Sequence, residues 1–264
     1  TRDNDYIFGQ FLWTGIDYLG ESREWPSRGY KHGLLDLAGF QKPEGFFRQA
    51  MWDDNPFTYI GTYNPDHSPD QSVNALPIWN YQSGEVIRVV CYTNCQRAQL
   101  LLNGKMIGHM KEYNDSTGFI TWNIPFKAGT LEVIGVNGNK EVSRYTLKTS
   151  DRPFRIIADS DDLILDKDKD LTHIVVQIVD KNGIPVLLSD DEITCHIEGP
   201  VKLLGLEGGN NADMGNYRDN KQRVHNGRLI VYVQTRGTTG NAKVTFSSPW
   251  LKSAEVCLNV VESL

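Results

Sequence analysis

Residues 11–40 read FLWTGIDYLGESREWPSRGYKHGLLDLAGF, and no other part of the chain is as dense in aromatic, acidic and glycine residues. An apolar frame comes from Phe8, Phe11, Leu12, Ile16 and Leu19. Side chains suited to contact a ligand are Trp13, Asp17, Tyr18, Glu21, Glu24 and Trp25. Binding sites combine such an apolar lining with a few placed polar groups. The stretch therefore predicts one wall of a binding site at the start of the chain.

Length and charge narrow the class of protein. The 264 residues suffice for about two domains at the usual ~100–200 residues per domain. The net charge of −6 argues against nucleic-acid binding, because phosphates attract a basic surface. No apolar run approaches the ~20 residues of a membrane-spanning helix. The chain lacks an initiating Met and the features of a secretory signal, so we expect it to be part of a longer protein.

Cysteine and histidine spacing predicts neither a disulfide scaffold nor a metal site. The four cysteines are scattered, which favours free, buried thiols, and the six histidines form no close pairs with ligand spacing. Residues 205–224 form a polar loop whose Asp and Asn oxygens could bind Ca²⁺, but the loop lacks the regular spacing of calcium sites. We therefore expect no metal and no cofactor.

The first 55 residues predict a strand, a long loop and a helix. YIFGQFLW, residues 6–13, is an apolar aromatic run typical of a buried strand. Pro43 marks a helix start, and an apolar face follows at Phe46, Phe47, Ala50 and Met51. One βα unit cannot form a parallel sheet alone. We expect this region to be poorly settled, to lean on the next domain or to pair with a second copy.

The rest of the chain is mainly β, with the pattern of two consecutive immunoglobulin-like β-sandwiches. Alternating apolar runs are separated by turn pairs such as Asn103-Gly104 and Asn137-Gly138, which are strong hairpin signals. The predicted division is an incomplete barrel end at 1–60, a linker at 61–75, and sandwiches at 76–150 and 151–264.

A family resemblance rests on three motifs that follow in order, FLWTGIDYLGE, WPSR and GLLDLAGFQKP, the last leading into an aromatic-rich helix that ends at Trp52. Together they closely resemble the end of the catalytic barrel of family 2 glycoside hydrolases, in particular β-galactosidase-like members of polysaccharide-degrading bacteria. The segment LPIWNYQSGEVIRVVCYTNCQRAQLLLNGKMIG is similar to the next domain of those enzymes. The segment after Asp151 resembles their terminal immunoglobulin-like domain. The likeness covers nearly the whole chain.

The resemblance implies that the chain begins in the last βα unit of a (β/α)8 barrel, with Phe11–Trp13 as strand eight and Pro43–Trp52 as the last helix. Such enzymes hydrolyse terminal β-glycosidic bonds with retention through two Glu residues. In the family the acid/base Glu follows an Asn, and no Asn-Glu pair occurs here. The nucleophile precedes the strand-eight Trp, and no Glu precedes Trp13. The parent protein is therefore expected to be an enzyme and this chain alone to be inactive.

The resemblance also implies partners and a location. The substrate of the complete enzyme would carry β-linked sugars, and the remainder of the catalytic barrel would contact this chain. A homo-oligomer is a further expectation, as is a periplasmic or secreted location. Neither nucleic acid nor a membrane span is expected.

The predicted substrate-binding residues are Trp13, Asp17 and Glu21. Trp13 resembles the family's sugar platform, since an aromatic face suits the C–H face of a sugar, and the alternative is a core tryptophan. Asp17 could hydrogen-bond sugar hydroxyls, or it could cap its own loop. Glu21 and Glu24 are three residues apart on one loop, which does not place two carboxyls on opposite sides of a glycosidic bond.

Other tryptophans and a second function class stay open. Trp79, Trp122 and Trp250 are expected to pack in cores or between domains, with a glycan platform as the alternative. The alternative function is a non-catalytic carbohydrate-binding or adhesion module. The motif FLWTGIDYLGE favours the glycosidase, because an adhesion module has no need of it.

Overall fold

The computed structural model describes residues 4–262, and most of its regular structure is β-strand. The domain limits expected at residues 1 and 264 lie outside the described residues. The N-terminal part contains a two-stranded ribbon, β1 (Tyr18–Leu19) and β2 (Gly29–Tyr30), and then α1 (Pro43–Trp52), the one helix in the described part of the chain. The helix starts at the predicted Pro43, whose missing N–H costs nothing at a helix start.

Seven strands form the first sandwich. They are β3 (Thr58–Tyr63), β4 (Val86–Thr93), β5 (Arg97–Leu102), β6 (Lys105–Glu112), β7 (Ile120–Pro125), β8 (Thr130–Asn137) and β9 (Lys140–Lys148). One sheet has the order β3-β4-β7 and the other β6-β5-β8-β9, and all neighbours are antiparallel. Inward-facing residues such as Val89, Leu100 and Val133 fill the space between the sheets. The Asn103-Gly104 hairpin joins β5 to β6 with positive φ at both residues, as its sequence predicts.

The second sandwich contains nine strands. They are β10 (Arg155–Ser160), β11 (Ile164–Asp166), β12 (Leu171–Val179), β13 (Glu192–Glu198), β14 (Val201–Glu207), β15 (Lys221–Arg223), β16 (Arg228–Thr235), β17 (Gly240–Ser247) and β18 (Ala254–Val261). Its sheets have the orders β10-β12-β16-β14 and β11-β18-β17-β13-β15. Among the pairs of strands in residues 4–262, only β11–β18 is parallel. The alternation of buried and partly buried residues in β16 is typical of a sheet with one face on a core.

The first sandwich begins earlier than the sequence predicted. β3 starts at Thr58 and pairs along its length with β4, so the expected boundary at residue 60 and the first residues of the expected linker lie inside a strand. The linker itself packs on this strand. The Tyr59 hydroxyl donates to the Ala75 carbonyl at 3.0 Å, and a Cβ on Gly61 would come within 2.1 Å of that oxygen. The polar, turn-rich composition of residues 64–75 correctly indicated irregular structure, but the segment packs on the first sandwich and is not a free linker.

Helix α1 leans on the first sandwich. Phe46 stacks on Tyr59 at a ring separation of 4.5 Å, and Phe47 meets Tyr92 edge-on at 5.3 Å. The Tyr residues lie on the outer face of β3 and β4, so both faces of β3 are buried. Met51, predicted on the same helical face, is exposed instead.

Three sequence-based expectations need correction. Residues 6–13 form no strand, because a strand needs a neighbouring strand and none of the sheets in residues 4–262 includes this stretch. Trp250 is 98% exposed in the turn before β18, where its φ is positive, whereas Trp79 and Trp122 are buried as expected. All four cysteines are free, but Cys257 is exposed because it lies on the outward face of β18.

Candidate functional site

The β1–β2 ribbon holds the predicted wall together. Tyr18 pairs with Tyr30 and Leu19 with Gly29, and the Gly20 amide donates to the Arg28 carbonyl at 3.0 Å. A Cβ on Gly29 would lie 2.1 Å from the Tyr18 carbonyl oxygen, so only glycine allows the two strands to approach. The loop at 20–28 is thereby closed at its base.

Trp13, Tyr18 and Glu21 form a hydrogen-bonded chain on this wall. The Trp13 indole N–H donates to the Tyr18 hydroxyl at 3.1 Å, and that hydroxyl donates to the Glu21 carboxylate. Hydrogen bonding to Glu21 raises the pKa of Tyr18, so the phenol remains a donor at neutral pH. Trp13 is 70% exposed and therefore is not a core tryptophan within the described residues. Two of the three predicted site residues thus belong to one polar network.

Aromatic rings extend the network along the ribbon. Tyr18 stacks on Tyr30 at 5.5 Å, and Tyr30 meets His32 edge-on at 5.2 Å. The Arg23 guanidinium lies 5.6 Å from the Tyr30 ring centre. Offset stacking of this kind restricts each ring's orientation, so the wall presents a defined set of aromatic faces and edges.

Asp17 has structural partners for its carboxylate. Oδ1 accepts the Gly33 amide at 2.7 Å, and Lys42 Nζ lies 3.1 Å from Oδ1 and 3.3 Å from Oδ2. The carboxylate is buried and joins the start of β1 to the start of α1. This arrangement matches the loop-capping role that the sequence left open, and we assign Asp17 that role rather than contact with a ligand.

Glu24 forms an ion pair with Lys31 rather than a contact with Glu21. Its Oε1 accepts from Lys31 Nζ at 2.6 Å, and this hydrogen bond lowers the pKa of Glu24. A general acid at neutral pH needs a raised pKa, so the lowered pKa of Glu24 argues against that role for Glu24.

A cavity of about 560 Å³ lies behind the wall, where the N-terminal part meets both sandwiches. Its lining includes Glu24, Lys31, Asp36 and Arg228. Burial is the main cause that raises the pKa of Asp36 to about 6, against hydrogen bonds from the Phe40 and Ala38 amides and the charge of Arg228. The Arg228 guanidinium stacks over the Phe40 ring at 4.1 Å. The GLLDLAGF motif therefore contains a turn whose amides bind Asp36. This turn lies where the N-terminal part meets the first and the second sandwich.

One contributor to the wall was missed by the sequence reasoning. The loop after β14, considered from sequence only as a Ca²⁺ loop, reaches the β1–β2 ribbon: Asn211 contacts residues 27–30, and Arg28 lies over Tyr217 at 5.5 Å. The available signal was the pair Gly208-Gly209 before two asparagines, a sign of close backbone approach. Asp213 bonds Gln222 within the same sandwich.

The front of the N-terminal part exposes apolar side chains. Phe11 is 96% exposed, and other large exposed apolar residues of this part are Tyr6, Phe8, Leu12, Ile16, Trp25 and Trp52. A surface this rich in aromatics marks a site of interaction.

No cluster of three or more His, Cys, Asp or Glu side chains between residues 4 and 262 is arranged to bind a metal ion. Nor does this part of the chain contain a helix with the length and apolar character needed to cross a membrane.

Comparison with known proteins gives consistent matches along the chain. Residues 155–257 match the family described as glycoside hydrolase family 2 C-terminal domain 5, and residues 84–143 match a domain family of unknown function. The chain is 31% identical over 265 residues to the β-galactosidase BoGH2A of Bacteroides ovatus, a match that covers 99% of this chain and 29% of that protein.

Two solved structures share the fold. A β-glycosidase from Bacteroides vulgatus superposes with a TM-score of 0.85 and 29% identity, covering 96% of this chain and 31% of that one. A glycosyl hydrolase family 2 member from Bacteroides cellulosilyticus superposes with a TM-score of 0.90 and 25% identity, covering 99% of this chain and 37% of that one.

The wall motif, the helix and the two sandwiches together define the C-terminal part of a multidomain glycoside hydrolase. Within that class, the chain belongs to glycoside hydrolase family 2. It spans less than two fifths of the length of each protein named above.

Proposed function

We propose that the complete protein is a retaining β-glycosidase of the β-galactosidase type, and that this chain supplies one wall of its active site and two accessory sandwiches. The observation that carries the proposal is the exposed chain of hydrogen bonds from Trp13 through Tyr18 to Glu21. An open indole face beside an oriented phenol and carboxylate suits a sugar ring, which offers C–H groups on its face and hydroxyls on its edge. Trp13 would stack on the sugar and Glu21 would accept from its hydroxyls.

The β-galactoside is the first substrate to test because the matched relative from Bacteroides ovatus is a β-galactosidase. Retention needs two carboxyl groups about 5–5.5 Å apart. In the proposed enzyme, both would come from the part of the barrel that precedes this chain. The contribution of residues 4–262 is therefore sugar binding and orientation rather than proton transfer to the leaving group.

The exposed aromatic surface of the N-terminal part supports a partner within the same protein. We propose that the preceding units of a (β/α)8 barrel cover Phe8 and Phe11 and pair with the backbone of residues 6–13. On this proposal, residues 1–60 close the barrel, although the last of them begin β3, and the two sandwiches follow up to residue 264. A second copy of the chain is the other candidate to cover this surface.

The test is hydrolysis by the complete enzyme of nitrophenyl β-galactoside, β-glucoside and β-glucuronide, with the anomeric configuration of the first product followed by NMR. We expect the β-galactoside to be the best of the three and the first product to keep the β configuration. Loss of all three activities, or an inverted product, would contradict the proposal. Glu21→Gln should raise KM for the best substrate, and the matched Glu85→Gln, in the first sandwich, should not.

A further inference from the structure

Asn211 of the second sandwich holds residues 27–30, which include β2, through two hydrogen bonds and one longer polar contact. Its backbone carbonyl accepts the Arg28 amide at 3.0 Å, and its Nδ2 donates to the Tyr30 carbonyl at 3.1 Å. The Ser27 hydroxyl lies 3.3 Å from its Oδ1. Asn211 is only 8% exposed, so these bonds are shielded from competing water.

The contacted strand, β2, supports the strand that carries Tyr18. β2 pairs with β1, which begins at Tyr18, and each of these strands has only two residues. A two-stranded ribbon is marginally stable by itself. The contacts from Asn211 fall on both sides of Gly29, which must stay close to Tyr18 for the ribbon to exist. The hydrogen bonds from Asn211 in the second sandwich therefore add support to a ribbon that has only two residues in each strand.

The supporting loop is itself fixed. Glu207 Oε1 accepts the Gly209 amide at 2.9 Å, and Asn210 Oδ1 accepts the Ala212 amide at 3.0 Å. Gly209 has a φ of +83°, and a Cβ there would lie 2.6 Å from the Asp36 carboxylate. Because Gly209 has no side chain, the loop can pack directly against the turn that contains Asp36. This packing brings Asn211 within hydrogen-bonding distance of β2.

Arg28 adds a second anchor between the same two elements. Its Nη1 lies 3.4 Å from the Gly215 carbonyl, and the guanidinium rests over Tyr217. Its Nε and Nη2 are buried without hydrogen-bond partners. The guanidinium is thus held by packing more than by hydrogen bonding.

We propose that the loop at 208–217 of the terminal sandwich positions the sugar-binding wall of the enzyme, with Asn211 as the positioning residue. This inference rests on the proposed function. Asn211 touches no reacting atom and acts through β2 on Tyr18 and, through Tyr18, on Glu21. Contacts of the wall with a sugar exist in the ground state and in the transition state alike, so their disturbance raises KM more than it lowers kcat.

The first measurement is kinetic and uses the complete enzyme. Asn211→Ala removes the bond to Tyr30 and the contact with Ser27 while the backbone carbonyl still accepts from Arg28. We expect KM to rise about tenfold with kcat changed less than threefold, a scale below the ~100-fold that a 1 Å misplacement can cost. The matched control is Asn216→Ala in the same loop, whose side chain accepts only the Arg218 amide among the described contacts. Its KM should equal that of the unmodified enzyme.

The second measurement does not depend on activity. Hydrogen–deuterium exchange of peptides covering residues 18–30 in the 264-residue chain should speed up in Asn211→Ala and stay unchanged in Asn216→Ala. Gly209→Ala keeps the Asn211 side chain but pushes the loop away from Asp36. Gly209→Ala should speed exchange in the same peptides. That result would show that packing of the loop against Asp36 is needed in addition to the Asn211 side chain.

The outcomes distinguish the two proposals. An inactive complete enzyme would refute the proposed function, while the exchange data would still decide whether the loop holds β2. If the enzyme is active and Asn211→Ala equals Asn216→Ala in KM, the positioning role is wrong. Faster exchange with an unchanged KM also overturns it, because the loop would then stabilise the ribbon without orienting the wall.

Discussion

Asp17 and Lys42 form an ion pair with 3.1 Å between Oδ1 and Nζ, and their side chains are only 4% and 18% exposed. The pair joins the residue before β1 to the N-cap of α1. Lys42 Nζ also donates to the Lys31 carbonyl at 2.7 Å, and the Asp17 carboxylate accepts the Gly33 amide. These bonds satisfy both charges without barrel strands and tie the wall to the helix that packs on the first sandwich.

Breaking this pair should loosen the N-terminal part. In Lys42→Met the buried Asp17 carboxylate loses its counter-charge, and such a loss costs on the order of 3–5 kcal/mol. We expect a corresponding drop in the free energy of local opening of α1, measured by hydrogen exchange of its amides in the 264-residue chain.

The control for that variant is the exposed pair of Glu24 and Lys31, whose side chains are 66% and 48% exposed. Glu24→Gln should leave the free energy of local opening of α1 nearly unchanged, because exposed ion pairs contribute little to stability. The double variant Asp17→Asn, Lys42→Met should cost less than the sum of its single changes, since an unpaired charge is no longer buried. If Lys42→Met and Glu24→Gln lower the free energy of local opening equally, the buried Asp17–Lys42 pair stabilises α1 no more than an exposed pair does.

The raised pKa of Asp36 predicts a pH dependence with a definite sign. The pKa is about 6 in the folded protein against an ordinary value of 3.8, chiefly because the carboxyl is buried. The folded state therefore binds more protons than the unfolded state between pH 4 and 6. The contribution of Asp36 to the free energy of unfolding therefore falls as pH rises through that window. A pKa shift of about two units corresponds to a fall on the order of 3 kcal/mol.

The difference between wild type and Asp36→Asn isolates this contribution. Other carboxylates act in the opposite direction, for example Asp70, where hydrogen bonds from Ser72 lower the pKa. Asn keeps an oxygen for the Ala38 and Phe40 amides but does not titrate. We expect the stability of wild type relative to Asp36→Asn to decline from pH 4 to pH 7 in urea unfolding of the 264-residue chain. A flat or rising difference would contradict the assignment.

Two tryptophans should separate binding from stability in the complete enzyme. Trp13→Ala should lower kcat/KM by about 5- to 150-fold, if stacking on the sugar is worth the roughly 1–3 kcal/mol that stacking of a base on an aromatic side chain contributes. Its melting temperature should change little, because the exposed ring fills no core. Trp122→Ala should do the reverse and cost about 3–5 kcal/mol of stability, since Trp122 lies in the core of the first sandwich. If Trp13→Ala mainly unfolds the enzyme and leaves the folded fraction fully active, the sugar platform is misassigned.

The 264-residue chain alone should not hydrolyse glycosides. It contains no Asn-Glu pair, and Glu24 has a lowered pKa through its bond to Lys31. Glu24 is therefore not suited to protonate a leaving oxygen at neutral pH. Nitrophenyl β-galactoside should be hydrolysed no faster by the purified chain than by its Asp17→Ala, Glu21→Ala variant. A clearly faster rate for the unmodified chain than for that variant would contradict this prediction and would show that Asp17 or Glu21 acts in catalysis.

Local patterns predicted the parts of this protein whose structure depends on nearby residues. The Asn103-Gly104 hairpin, the helix at Pro43–Trp52 and the alternating strands of both sandwiches follow from backbone preference and a period of two or 3.6 residues. The motif around Trp13 predicted the family, which the comparisons confirm. Residues 6–13 failed as a strand for the same physical reason, because pairing is not local and a buried-strand composition forms no sheet without a neighbour.

By itself, the sequence determined the β architecture, the helix and the family, because these are recorded in short motifs and in hydrophobic periodicity. Only the tertiary structure showed that Asp17 is paired with Lys42 and that Asn211 reaches Tyr30 across 181 positions of chain. Single-residue patterns carry no signal for such contacts, since a carboxylate or an amide looks the same in sequence whether a ligand, a lysine or a distant backbone carbonyl satisfies it. Burial decides between these partners, and burial is a property of the packed molecule.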